Sequence, residues 1–137
     1  MNQNWISSLQ DVDALEVGSG RKFFSATHEE IAKGHTTDIY FISAQEVLRY
    51  LKLEDTIVVA EVFPRRSGIL CGVEEVLYLL SNSAVEVWSL KEGESFEPKE
   101  VIMRIRGPYS QFGIFETPLL GILAHSSGWA TAAWECK

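Results

Sequence analysis

The alternation of apolar and polar positions divides the chain into short elements separated by clear punctuation. Thr56–Phe63 is rich in β-branched residues and stops at Pro64, which predicts a strand. Val85–Leu90 and Glu100–Arg106 predict two more, with the acidic turn Lys91–Glu94 between them and Gly107-Pro108 closing the second. Apolar side chains at 73, 76, 77 and 80 recur at helical spacing, so Val73–Leu80 is expected to be a helix. Two capping boxes mark further helix starts, Thr27 with Glu30 and Ser43 with Glu46. The first helix should stop at Gly34, where glycine can take the left-handed conformation. The second should bury Val47, Leu48 and Leu51 and turn Arg49 and Lys52 to water. His35–Phe41 between them reads as a connector or a brief strand, and Pro64–Gly68 as a loop.

Near the C-terminus, Thr117-Pro118 predicts an N-cap followed by proline at the first helical position. Leu119, Leu120, Ile122 and Leu123 form a dense apolar segment, which His125-Ser126-Ser127-Gly128 is expected to interrupt before Trp129–Cys136 resumes. Trp129 and Trp134 beside the terminus call for something to pack on, and self-association through this segment is expected. The order of elements fits an α+β domain, a small mixed or antiparallel sheet with helices on one face. The expected division is a lead-in over 1–23, ending in Gly18-Ser19-Gly20, a domain over 24–116, and a helical segment over 117–137.

Composition narrows the function classes. At 137 residues with 46% hydrophobic and 23% charged side chains, one domain with a true core is expected. A net charge of −7 argues against a general nucleic-acid binder, which needs a basic stripe. Met1–Gln10 lacks the basic start and apolar run of a signal peptide, and no run is long enough to span a membrane. A cytoplasmic protein without a membrane partner is the expectation. Cys71 and Cys136 form no spaced pair and read as buried filler in helical, apolar stretches.

Most candidate chemistry fails on spacing. His28, His35 and His125 have no metal-ligand spacing, so no metal site is expected. The serines lack the G-x-S-x-G elbow, and Gly18-Ser19-Gly20 has no strand before it, which removes a dinucleotide fingerprint. Thr37-Asp38-Ile39-Tyr40 offers either a turn with a half-buried aromatic or an aromatic face shown to a planar ligand. Arg65-Arg66 follows a strand end, where guanidinium forks suit a phosphate or carboxylate, although adjacent loop arginines are commonly just solvated. Arg104 and Arg106 alternate along a strand and so share one face, positioned for ion pairs with Glu61 or Glu116.

Taken in order, Gly34–Phe41, Val59–Arg65, Leu70–Leu77, Lys91–Gly93, Arg106–Tyr109, Phe115–Gly121 and Ser127–Thr131 resemble the N-terminal domain of nicotinate phosphoribosyltransferases. The nicotinamide and quinolinate enzymes share parts of this layout. The resemblance implies an α/β hammerhead-like sandwich followed, in the family, by an α/β barrel with the catalytic histidine. No catalytic residue is therefore expected here, the chain alone should be inactive, and it reads as stopping where a barrel would begin. The family joins nicotinate to phosphoribosyl diphosphate to make nicotinate mononucleotide in NAD biosynthesis. Magnesium and ATP are implied for the whole enzyme, as is a head-to-tail homodimer in which this domain covers the partner's barrel. By the same resemblance Tyr40 stacks on the pyridine ring and Arg65, with Arg66, lies near the phosphate; Thr37 and Asp38 are the other substrate-binding candidates, Asp38 fixing the backbone around Tyr40. A stand-alone binding or regulatory module without catalysis is the other expectation.

Overall fold

The computed structural model describes residues 26–136. The expected lead-in over 1–23 lies outside the described residues. Helix α1 (His28–Ala32) starts at Thr27, whose hydroxyl accepts from the Glu30 N–H while the Glu30 carboxylate accepts from the Thr27 N–H, so the predicted capping box is formed. Gly34 just beyond takes φ +77°, as the predicted stop requires.

Helix α2 (Ile39–Leu51) departs from expectation at its start. It begins four residues before Ser43, and His35–Phe41 is neither strand nor plain connector. The Ser43 hydroxyl instead donates to the carbonyl of Ile39 from inside the helix. Burial explains the shift: Phe41, 4% exposed, is the buried side chain of α2, and packing it draws residues 39–42 into the helix. The expected stripe is corrected as well, because Val47 and Leu51 are exposed and Leu48 is only half-buried.

Strands β1 (Ile57–Val62), β3 (Glu86–Ser89) and β5 (Met103–Pro108) form an antiparallel sheet in the order β1-β5-β3. Two short strands, β2 (Gly68–Ile69) and β4 (Ser95–Phe96), pair separately. Gly107-Pro108 continues β5 rather than closing it. Along β5, Met103, Ile105 and Gly107 face the core and Arg104 and Arg106 face out, the period of two that a one-sided sheet imposes. The two arginines pair across the strands, Arg104 with Glu61 at 2.7 Å and Arg106 with Glu86 at 3.3 Å.

Helix α3 (Val73–Leu79) buries Val73, Val76 and Leu79, while Leu77 of the predicted stripe is exposed. Its N-cap, Gly72, sits at φ +93° and has no side chain to offer. A Cβ there would also lie 3.1 Å from Ser126 and 3.2 Å from Ile122. Glu92, from the turn after β3, caps the helix from outside, accepting from the N–H groups of Gly72 at 2.6 Å and Val73 at 2.8 Å. Burial alone would raise the Glu92 carboxyl, but the Cys71 thiol and the N–H groups of Gly72, Val73 and Glu74 hold it below its ordinary value. That hydrogen bond, with partial burial, pushes the Cys71 thiol up. Cys71 is half-buried in the loop before α3 and Cys136 is exposed, so neither is the buried helical filler expected.

Glu92→Gln should therefore cost about 0.5–1 kcal/mol near neutral pH, the low end for a cap because the site is solvent-exposed. A depressed carboxylate stabilises the fold above its unfolded value of about 4.3, and that contribution disappears as the pH falls through the lower folded value. Urea unfolding should show wild type and Glu92→Gln converging in acid. A gap that stays constant with pH would contradict the assignment.

Helix α4 (Glu116–Glu135) is continuous where an interruption was expected. Its polar residues serve as docking groups. Ser127 Oγ accepts from the Cys71 N–H at 3.0 Å and donates to the Cys71 carbonyl at 3.2 Å, and Thr131 Oγ1 accepts from the Ile69 N–H at 2.9 Å. The helix starts two residues earlier than expected, with Phe115 rather than Thr117 at the N-cap and Pro118 still in the first turn, where no N–H is required. Leu119 and Leu123 join Leu70, Val76, Met103 and Ile105 in the core, while Trp129 and Trp134 are exposed. Among the described residues no helix is long and apolar enough to cross a membrane.

Candidate functional site

Tyr40 lies in the first turn of α2, 59% exposed, with one side of its ring against Phe41 at a centroid distance of 4.1 Å. The residue that is buried here is Phe41, whereas Tyr40 keeps an exposed ring surface that a ligand can meet. Asp38 is the N-cap of α2, and its carboxylate reaches α4, where Oδ2 accepts from Thr117 Oγ1 at 2.8 Å. Thr37 precedes it, its hydroxyl buried without a hydrogen-bond partner among the described residues. Partial desolvation, followed by the carboxylates of Asp38 and Glu116, pushes the Tyr40 phenol up. Tyr109, in the turn after β5, is raised by burial and then by Glu116 and Tyr40. Two neutral phenols and two carboxylates thus meet where the N-termini of α2 and α4 approach. That field favours a planar ring of low negative charge, and each further ring carboxylate is disfavoured.

Arg65 and Arg66 occupy the loop after β1 and face a different hollow. A cleft of about 630 Å³ runs between this loop and α4, with Phe96, Ile102, Leu120 and Leu123 on its apolar side. Ser67, Ser127 and Thr131 add hydroxyls, and Glu135 is the carboxylate among its lining residues. Neither arginine has an ion-pair partner among the described residues. Their charge is therefore available to an anion.

The five residues singled out from sequence thus fall into two groups: Thr37, Asp38 and Tyr40 at the helix ends, and Arg65 and Arg66 at the cleft. Thr37, Asp38 and Tyr40 do not line the cleft. A smaller hollow of about 260 Å³, bordered by Glu116, Leu120 and Val62, lies between the groups, and Val62 and Leu120 also line the larger cleft. Both groups therefore lie along one side of α4. Sequence reasoning missed Glu116, Thr117 and Tyr109 at this site. Thr117-Pro118 read as a helix start and Glu116 as an ion-pair partner for the β5 arginines, which pair with Glu61 and Glu86 instead, and Tyr109 carried no motif of its own. Among the described residues no group of three or more His, Cys, Asp or Glu side chains could hold a metal ion.

Residues 38–127 match the family model described as quinolinate phosphoribosyl transferase, N-terminal domain. The chain is similar to nicotinate-nucleotide pyrophosphorylase from Pyrococcus furiosus at 41% identity, over 82% of this chain and 30% of that one, with a TM-score of 0.76. Human nicotinic acid phosphoribosyltransferase shares the fold at 21% identity, over 72% of this chain and 27% of its own, with a TM-score of 0.62. A nicotinate-nucleotide pyrophosphorylase from Ehrlichia chaffeensis shares it at 18% identity and a TM-score of 0.56, over 80% of this chain and 40% of its own. The chain spans less than half the length of each of these relatives.

Proposed function

Because this chain belongs to the family of quinolinate phosphoribosyltransferase N-terminal domains, whose enzymes are transferases of NAD biosynthesis, we propose that it is the substrate-facing domain of a nicotinate phosphoribosyltransferase. The observation that carries the reading is the 41% identity to a nicotinate-nucleotide pyrophosphorylase over 82% of the chain. The charge around Tyr40 supports nicotinate over quinolinate. A second ring carboxylate would place another negative charge beside Asp38 and Glu116, whereas nicotinate carries one and can turn it away. Transfer of a phosphoribosyl group to the ring nitrogen leaves that ring cationic. The exposed ring of Tyr40, backed by two carboxylates, favours that charge more in the product-like state than in the neutral ring, which is the direction catalysis needs. Arg65, assisted by Arg66, holds the phosphate end. The catalytic histidine belongs to a barrel, which this domain faces across a homodimer in the cytoplasm. Magnesium and ATP act in the whole enzyme. Among the described residues no cluster of side chains would hold the metal.

Tyr40 gives the test. In a protein carrying this domain with its barrel, Tyr40→Ala should raise the KM for nicotinate about tenfold, and Tyr40→Phe should keep most of the affinity, since the ring face does the stacking. Pyrophosphate release measured with nicotinate and with quinolinate decides the substrate. A preference for quinolinate, or an unchanged KM in Tyr40→Ala, would overturn the reading.

A further inference from the structure

The carboxylate of Asp38 departs from the usual behaviour of its position. An aspartate at a helix N-cap ordinarily accepts from an N–H in the first turn, where the helix has donors without partners. Asp38 makes no such side-chain bond. The N–H of Phe41 turns to the main-chain carbonyl of Asp38 instead, at 3.1 Å. The carboxylate is spent on Thr117, 79 residues further along the chain. Thr117 is the second residue of α4, between Glu116 and Pro118, so its hydroxyl is held on the rigid start of a twenty-residue helix. Local preferences surrendered for a tertiary contact concentrate where a site must be held in place.

What is held in place is the start of α2. Tyr40 follows Asp38 by two residues and packs its ring against Phe41. The direction of its exposed ring therefore depends on where the first turn of α2 sits. Further along α2, Gln45 Nε2 donates to the carbonyl of Ser110 at 3.0 Å and anchors the middle of the helix. The Asp38–Thr117 hydrogen bond fixes the end that carries Tyr40.

We propose that Thr117 is a positioning residue for ring recognition: through Asp38 it sets the direction of the Tyr40 ring without touching the substrate itself. The proposal rests on the reading of Tyr40 as the stacking group, and two measurements separate the two claims. In the 137-residue chain, Tyr40 ring resonances and Tyr40–Phe41 nuclear Overhauser contacts are compared for wild type, Thr117→Val and Thr117→Ser. Valine keeps the shape and removes the hydroxyl, so it should shift or broaden the Tyr40 signals, and serine should preserve them. Tyr40 signals unchanged by valine would overturn the proposal. In the barrel-carrying protein, Thr117→Val should raise the KM for nicotinate about threefold to tenfold with kcat kept, and Thr117→Ser should restore it. A lowered Tm with unchanged KM would show a structural role alone and also overturn it. If Tyr40→Ala leaves KM unchanged, the stacking reading is what fails, and the resonance comparison still decides whether Thr117 orients the ring.

Discussion

Leu70→Ala is expected to destabilise the fold by about 2–5 kcal/mol, the range for emptying a fully packed core position. Leu70 is 0% exposed and stands where three parts of the molecule meet. It follows β2 directly and lies two residues before the N-cap of α3. Its N–H donates to the Glu94 carbonyl and its own carbonyl accepts from the Gly93 N–H, both at 2.8 Å. Alanine keeps these main-chain bonds, so the loss measures the side chain. A cavity there would be walled by β5 and α4 neighbours, which the antiparallel register and the continuous helix prevent from closing in. Thermal unfolding should show a drop of roughly ten degrees or more. Leu70→Met, which nearly conserves volume, should cost less than about 1.5 kcal/mol. A loss below about 1 kcal/mol in Leu70→Ala would mean that the site collapses freely and that the core has been drawn in the wrong place.

Arg65→Ala should have the largest effect on substrate binding, weakening phosphoribosyl diphosphate about tenfold to a hundredfold at low salt in the barrel-carrying protein. Arg65 has no ion-pair partner among the described residues to lose, so the change removes charge from the cleft without breaking an internal contact. The penalty should shrink as salt screens the cleft. Arg65→Lys should recover only part of the affinity, because an ammonium cannot present two parallel donors to a phosphate. Arg66→Ala should show the smaller loss. Equal KM values for wild type and Arg65→Ala, with reduced stability, would assign the loop to folding instead.

How far the sequence alone carried can be judged position by position. Where one local rule acted without competition, the outcome was legible. Thr27 with Glu30 made its capping box, Gly34 took a positive φ, Pro64 ended β1, and the alternation of Arg104 and Arg106 put both on the outer face. The α+β class follows from such local signals, because a period of two and a terminal proline need no distant partner to be read. Those signals leave the sheet mixed or antiparallel, and the register decides it, with every pairing antiparallel. The Tyr40 and Arg65 segments were also visible, as an aromatic beside an aspartate and a guanidinium pair after a strand.

Tertiary packing decided the rest. Ser43 had a sound capping signature, yet burial of Phe41 started α2 earlier, since core packing outweighs a cap worth about 1 kcal/mol. Ser126-Ser127-Gly128 looked like a break, but Ser127 is satisfied by Cys71 and the helix runs through. Glu92 caps α3 from another turn, and Thr117 takes the Asp38 carboxylate from 79 residues away. In each case a polar group found its partner across the fold. Local sequence states what a side chain can bond, but only the packed chain brings the partner within about 3 Å.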